Sequence, residues 1–411
     1  MSAKSYCRSR PFSQTAMALA VAVFTLALPS LMQAQTESVL YSYPAGGIGN
    51  PSFPIACSFD HAGNLYVVTQ EGGAGNAGSV SQLKPVTGGW DETTIYSFTG
   101  ETDGALPWNA VVADAAGNLY GISSNGTSGG GAVYELSPTT GGTWTISILH
   151  DFTDGTDGGQ PVGGMVMDSD GNLYGTAEYG GTTINGVIFE LQKTGSGFTY
   201  SVLHNFPGGA GGSAPYGTLA IDAAGNLYGT TSTGGTSRAC STGCGTVFRL
   251  SPVAGGGWHF GVIHSFDGSD GAIPWAGVTL GPGGTLFGTT TYGGASGYGS
   301  LYRLAQSGGT YVITVIHSFT NGTDGGNPTA GVALDSRGNI YGAAYNGGAN
   351  SAGVVYEFDH GSITENILWA FDTTDGASPH GSMAMDSFGN LYGTTFYGGT
   401  FASGTAFEVT P

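Results

Sequence analysis

Positive charge is nearly missing from this chain, in which nine Lys and Arg stand against 28 Asp and Glu. A surface of that sign repels phosphate, so nucleic acid is excluded as a partner. Charge of either sign is scarce, at 9% of residues where typical globular domains carry about 25%. A sustained 3.6-residue apolar period is also absent. The 77 glycines would each cost a helix about 1 kcal/mol, which excludes a helical fold. After the first 34 residues no apolar run is long enough to span a bilayer as a helix. What the chain does contain is 40% hydrophobic and 11% aromatic residues on a strict repeat, and this argues for a packed core rather than for glycine-rich disorder.

The N-terminus reads as a secretory signal. Lys4, Arg8 and Arg10 precede an uncharged stretch from Thr15 to Leu31, and small residues follow up to Ala34. Cleavage is expected after Ala34, giving a secreted, extracellular chain, with the periplasm as the alternative. Losing three of nine basic and none of 28 acidic residues leaves 6 against 28, a mature charge of −22. Of the four cysteines, Cys7 lies in the signal. Cys240 and Cys244 read as a disulfide stapling one loop rather than half of a metal site, since no second ligand pair lies nearby in sequence. Cys57 falls in an apolar strand and reads as a buried thiol.

One phrase recurs: Asp, two variable residues, then Gly-Asn-Leu-Tyr. Its Asn or the replacing residue falls at Asn64, Asn118, Asn172, Asn226, Thr285, Asn339 and Asn390, at spacings of 54, 54, 54, 59, 54 and 51. The five extra residues carry the Cys240–Cys244 loop. Each copy reads as four short strands, typified by residues 331–334, 339–344, 354–358 and 366–371. In the turn, the Asp carboxylate accepts backbone N–H groups and Gly tolerates positive φ. Asp60, Asp114, Asp168, Asp222, Asp335 and Asp386 therefore read as folding residues. Seven four-stranded units of this length predict an all-β, seven-bladed β-propeller over residues 35–411. The first element, Ser38 to Tyr43, matches a fourth strand, and the last, Thr405 to Val409, matches a third. Their pairing would complete the seventh blade and remove an open edge.

Three stretches carry a family resemblance: Tyr228-Gly-Thr-Thr with Gly245-Thr-Val-Phe-Arg-Leu-Ser-Pro252, Tyr174-Gly-Thr with Gly186-Val-Ile-Phe-Glu-Leu191, and Tyr392-Gly-Thr-Thr with Gly404-Thr-Ala-Phe-Glu-Val409. The chain resembles the secreted bacterial proteins with the GloVer tandem repeat, the choice-of-anchor group. That resemblance spans the mature chain and implies secretion but no activity. The chain ends at Pro411 without a hydrophobic tail or basic sorting end, so free secretion rather than anchoring is expected. Its Asp-x-x-Gly-Asn-Leu-aromatic hairpin is also similar to that of streptogramin lyases and NHL-like propellers, which implies fold more than chemistry.

Loops between blades and loops between second and third strands share one face of a propeller. The former read Asp154-Gly-Thr-Asp157-Gly, Asp267-Gly-Ser-Asp270-Gly, Asn321-Gly-Thr-Asp324-Gly, Asp372-Thr-Thr-Asp375-Gly and Glu101-Thr-Asp103-Gly, and the latter carry Tyr179, Tyr292 and Tyr397. The residue after each repeat's Pro should ring the channel mouth on that face: Trp108, Val162, Tyr216, Trp275, Thr329 and His380. Aromatic platforms beside polar side chains suit a sugar, while the plainer reading is that these rings plug the channel. Asp154, Asp157, Asp267, Asp270 and Asp324 read as turn residues, with a calcium or magnesium site as the alternative. His150, His204, His264 and His317 share a fourth-strand position with Tyr41, Tyr96 and Trp369, so they read as packing aromatics rather than bases. Glu135, Glu190, Glu357 and Glu408 share a third-strand position with Gln82, Arg249 and Arg303 and read as a solvated or inter-blade polar stripe.

The preferred function is non-catalytic binding or scaffolding by a monomer without cofactor, with glycan or another cell-surface polymer as partner. Trp108, Tyr216, Trp275, His380, Tyr179, Tyr292 and Tyr397 are its candidate contacts. One alternative is a lyase or hydrolase using His380 as base beside a divalent ion. Another is a structural envelope protein that self-associates.

Overall fold

The computed structural model describes residues 35–411 apart from 48 and 196. The expected signal segment, residues 1–34, and Cys7 lie outside the described residues. Seven antiparallel sheets form the ring of a seven-bladed β-propeller. Blade one is continuous, with strands Ser52–Phe59, Leu65–Glu71, Ser79–Val86 and Gly89–Ser97 paired in that order. In blade seven, Thr36–Ser42 pairs with Thr405–Thr410 and supplies the outermost strand, so the two ends of the described chain share one sheet. Among the described residues no helix is long and apolar enough to cross a membrane.

The hairpin phrase closes as its composition dictates. Asp60 Oδ1 accepts the N–H groups of Ala62 and Asn64 at 2.9 Å, and its Oδ2 accepts Asn64 Nδ2 at 2.7 Å and the Tyr66 hydroxyl at 3.2 Å. Asp114, Asp168, Asp222, Asp335 and Asp386 repeat this set. Blade five has Gly281 where the others have Asp, and there the following aromatic is Phe287, which has no hydroxyl to lose. Burial pushes the Asp60, Asp114, Asp222 and Asp335 carboxyls up, but it is outweighed by hydrogen bonds from Asn, backbone and Tyr donors at the first three, and from the Asn339 backbone and Arg337 at Asp335, which hold them below the usual value.

The same tyrosines explain the glutamate stripe. The hydroxyls of Tyr120, Tyr174, Tyr341 and Tyr392 also lie 3.0–3.3 Å from Glu135, Glu190, Glu357 and Glu408, so each shares its one proton between two carboxylates. Each pair sits directly opposite across the second and third strands. The stripe is therefore a half-exposed ladder within each blade, in keeping with the solvated reading rather than the inter-blade one.

Size complementarity sets the blade interior. The second-strand glycines 121, 175, 229, 288, 342 and 393 each lie under a third-strand ring (Tyr134, Phe189, Phe248, Tyr302, Tyr356, Phe407), where an added Cβ would come within 2.6 Å of it. Blade one inverts the pair, with Val67 facing Ser81. The Tyr134, Tyr302 and Tyr356 hydroxyls are buried without a partner, so their blades bury polar groups that the Phe blades avoid.

Neighbouring blades meet at a joint repeated seven times. The residue before each innermost-strand Pro (Phe53, Leu106, Gln160, Ala214, Ile273, Asn327, Ser378) is left-handed, at φ between 49° and 56°. Its N–H donates to a carbonyl of the preceding blade at 2.6–3.0 Å, as in Leu106 to Ala77 and Phe53 to Ser403. The Pro itself lies against a glycine of that blade (Gly78, Gly131, Gly186, Gly245, Gly299, Gly353 or Gly404), whose added Cβ would fall within 2.8 Å of the proline Cδ. Phe53, Pro54 and Gly404 make this contact between blades one and seven, so the ring closes with the geometry of its other joints. Cys57 is buried, and burial pushes its thiol up to about 12, with a backbone hydrogen bond from Ala384 opposing.

Two stability outcomes follow. Gly342→Ala should cost about 1–3 kcal/mol by overpacking, whereas Tyr356→Phe should be neutral or stabilising because it removes an orphaned hydroxyl; equal losses in urea denaturation would contradict this account. Asp114→Ala should cost about 2 kcal/mol at pH 7 and much less at pH 2. A carboxyl held low stabilises the fold above its unfolded value of about 4, and that stabilisation is lost as pH falls through the folded value.

Candidate functional site

The joint decides which side chains reach the axis, because the residue after each Pro is the next one along. Ile55, Trp108, Val162, Tyr216, Trp275, Thr329 and His380 converge on a neck of about 50 Å³ in the central channel. Above it, on the face with the blade-to-blade loops, opens a cavity of about 390 Å³. Below it the innermost strands enclose about 280 Å³ lined by small and apolar groups around Asn109, Thr218 and Ser382.

Trp108, Trp275, Thr329 and His380 line the upper cavity together with Tyr292, Gln70, Thr291, Asn327, Tyr345, Asn346 and Phe396. Tyr216 stacks on Trp275, with centroids 5.8 Å apart and planes at 28°, and Trp275 meets Tyr292 edge-on at 6.1 Å. The Asn346 amide donates to Asn327 Oδ1 at 3.1 Å, and the Asn327 amide donates to the Thr291 carbonyl at 2.9 Å. The Thr329 hydroxyl is buried without a partner. His380 Nδ1 donates to the Ile55 carbonyl at 3.4 Å, which leaves Nε2 as an acceptor. Burial holds its pKa below the usual value, against the opposing pull of that carbonyl, so the ring is neutral at pH 7. Among the described residues, no Asp, Glu, Lys or Arg lines this cavity.

Of the candidate contacts, Trp108, Trp275, Tyr292 and His380 come together here, and Tyr216 sits at the neck. Tyr179 and Tyr397 are exposed at 47% and 45%, outside that lining. Tyr397 packs edge-on to Phe53 and Phe396 instead. The residue preceding the Tyr position also lines the cavity in four blades, as Gln70, Thr291, Tyr345 and Phe396, while the Tyr position itself does so at Tyr292 and Asn346. Strand alternation is the signal for the preceding residue, since consecutive residues point to opposite faces. A second cavity of about 350 Å³ shares Trp108 with the first and Tyr216 with the neck, and contains Glu178, the residue before Tyr179.

The loop aspartates have other partners. Tyr96 donates to Asp103 at 2.9 Å, His264 lies 2.7 Å from Asp270, His317 lies 3.1 Å from Asp324, and the Trp369 indole donates to Asp375 at 2.8 Å. His150 reaches Asp157 at 3.3 Å and stacks on Tyr200 at 3.6 Å. The fourth-strand ring thus both packs and holds the loop's second Asp. Asp267 accepts Ser269 and Asp270 N–H groups within its own turn, and Asp154 is left-handed at φ 58°. The loop joining blades three and four has no Asp, and there His204 stacks on Phe260 at 3.9 Å with its Nε2 unpartnered; burial lowers it to about 4. Cys240 and Cys244 are joined in a disulfide.

His317, Asp324 and Glu365 bring three potential ligand atoms within 4.8 Å of one another and could hold a divalent ion. The same loop contact is made by Tyr96 and Trp369, side chains that do not ligate such ions, so the Asp placement serves the loop whether or not an ion binds. Burial first, then the Asp324 charge, push Glu365 up to about 7. A raised carboxyl contributes stability that is full below its unfolded value of about 4.3 and lost as pH rises through the folded value. Glu365→Gln should therefore raise the thermal midpoint at pH 8 and leave it unchanged at pH 4; the same increment at both would refute the assignment.

No curated protein matches the sequence. Among solved structures, the extracellular domain of a putative hybrid two component system from B. thetaiotaomicron matches at TM-score 0.58 and 13% identity over 90% of this chain and 39% of that one. The extracellular domain of a putative one component system from the same organism matches at 0.55 and 13% over 91% and 40%. A putative 6-phosphogluconolactonase from Bacteroides uniformis matches at 0.50 and 14% over 79% and 86%. The chain thus spans about two fifths of those two extracellular domains, and at these identities the likeness is one of fold alone. The model of the Gloeobacter/Verrucomicrobia repeat matches residues 20–241 and 236–411, and the chain belongs to that family.

Proposed function

We propose that this propeller is a secreted, monomeric, non-catalytic binding protein whose loop-face cavity takes a segment of glycan. The observation that carries the reading is the lining of the 390 Å³ cavity: two tryptophans, amide and hydroxyl groups, and a neutral His380. Its volume falls in the range of roughly 300–1,000 Å³ usual for ligand pockets, where apolar walls and a few placed polar groups divide affinity and orientation between them. Sugars offer C–H faces to rings and hydroxyls to amides, and the Asn346–Asn327 relay and the unpartnered Thr329 hydroxyl supply both donors and acceptors. A hydrolytic or eliminating site would pair His380 with an acid or an ion held by carboxylates. The groups named around His380 are instead Ile55, Tyr345 and Phe396. Extracellular domains among the structural neighbours agree with an extracellular role.

Glycan-array capture followed by calorimetry tests the reading. Trp108→Ala and Trp275→Ala should each weaken the captured glycan at least about tenfold, equivalent to about 1.4 kcal/mol, without shifting the thermal midpoint enough to unfold the protein. Equal affinity in all three proteins, or conversion of the glycan by the wild type that His380→Ala abolishes, would overturn it.

A further inference from the structure

Glu178 breaks the pattern of the mouth. The corresponding rim residues of the other blades are Gln70, Ser124, Ser232, Thr291, Tyr345 and Phe396, so blade three alone places a carboxylate there. Its backbone is held against the joint residue of its own blade, the Glu178 N–H donating to the Gln160 carbonyl at 3.1 Å. The side chain is half-buried in the 350 Å³ cavity, with the rings of Trp108 and Tyr216 among its neighbours. Among the described residues, no Lys, Arg or His lines that cavity. Burial pushes the Glu178 carboxyl above its usual value, with the Tyr179 hydroxyl opposing, and its charge in turn acts on Tyr216. A carboxylate withdrawn from water and lacking a counter-ion is electrostatically incomplete. Trp and Tyr faces also attract positive charge through their quadrupoles. Both features call for the same ligand group. A divalent metal ion would need more oxygen ligands than one carboxylate supplies, whereas an ammonium group needs a few acceptors and tolerates an apolar flank.

We propose that the Glu178 cavity is a second subsite that binds an organic ammonium group, and that Trp108, common to both cavities, makes the two subsites contiguous. Resting on the glycan reading for its carrier, this identifies the preferred ligand as a chain containing 2-amino-2-deoxy sugars. One ring lies in the neutral cavity and the free amine of its neighbour lies beside Glu178. The large negative charge of the chain further draws cationic polymers toward this face.

The test is calorimetry on the full chain at pH 6 and low salt with four probes: a glucosamine tetramer, its fully N-acetylated counterpart, cellotetraose and benzylammonium. The wild type should bind the free-amine tetramer at least about tenfold more tightly than the acetylated one, a difference of about 1.4 kcal/mol. Glu178→Gln should bring the two within twofold without changing cellotetraose affinity. Glu178→Ser, which copies blades two and four, provides a second variant should the first fold poorly. A preference that is absent in the wild type, or that survives both substitutions, overturns the ammonium subsite while neutral-sugar binding keeps the glycan reading intact. Benzylammonium binding that depends on Glu178, with no sugar bound, upholds the subsite and overturns the glycan. Failure of all four probes overturns both.

Discussion

Each blade presses a proline ring onto a glycine of the blade before it, and the residue ahead of that proline turns left-handed so that its N–H reaches the same neighbour. Left-handed backbone is costly for Leu, Ile or Phe and persists only where the surroundings over-determine it. Here a hydrogen bond across the joint and a contact that admits no Cβ hold it in place. Because the next residue is the one that faces the axis, the joint both closes the ring and aims Trp108, Trp275 and His380. Loop conformation would aim them far less firmly.

Within the molecule, departures from the repeat come in compensating sets. Blade one exchanges the glycine under a ring for Val67 and the ring for Ser81. Blade five loses the turn Asp and the Tyr hydroxyl together. The joint between blades three and four has an Asp-free loop beside His204, whose imidazole stays neutral on Phe260. These coordinated changes mark the recurring residues as construction. They also isolate the changes that have no structural counterpart: the aromatic and amide lining of one side of the mouth, and Glu178 on the other.

That asymmetry is how a sevenfold scaffold yields a site. Seven identical rim residues would make a symmetric ring around a narrow neck. The actual ring mixes indole, phenol, imidazole and aliphatic groups, so free volume gathers into two unequal cavities on either side of Trp108. One is neutral and rich in amides, and the other carries a single half-buried carboxylate. The fold contributes position, and the non-repeating residues contribute chemistry.

The sequence by itself determined the blade count, the strand order within each blade and the pairing of Ser38 to Tyr43 into the last sheet, because period, turn chemistry and alternation are local signals written seven times. It also marked the turn aspartates and fourth-strand histidines as repeated structural positions, and the structure gives them hydrogen-bonding roles in turns and loops. Only the tertiary structure decided which rim residues reach the cavity, putting both Thr291 and Tyr292 beside it but Phe396 without Tyr397. It alone paired Glu135 with Tyr120 and Asp270 with His264, contacts between residues 15 and 6 positions apart that form only when strands register and loops fold back. Glu178 escaped sequence reading for the same reason. Its significance lies in the burial and the neighbouring rings of blades two and four, which come together only when the propeller closes.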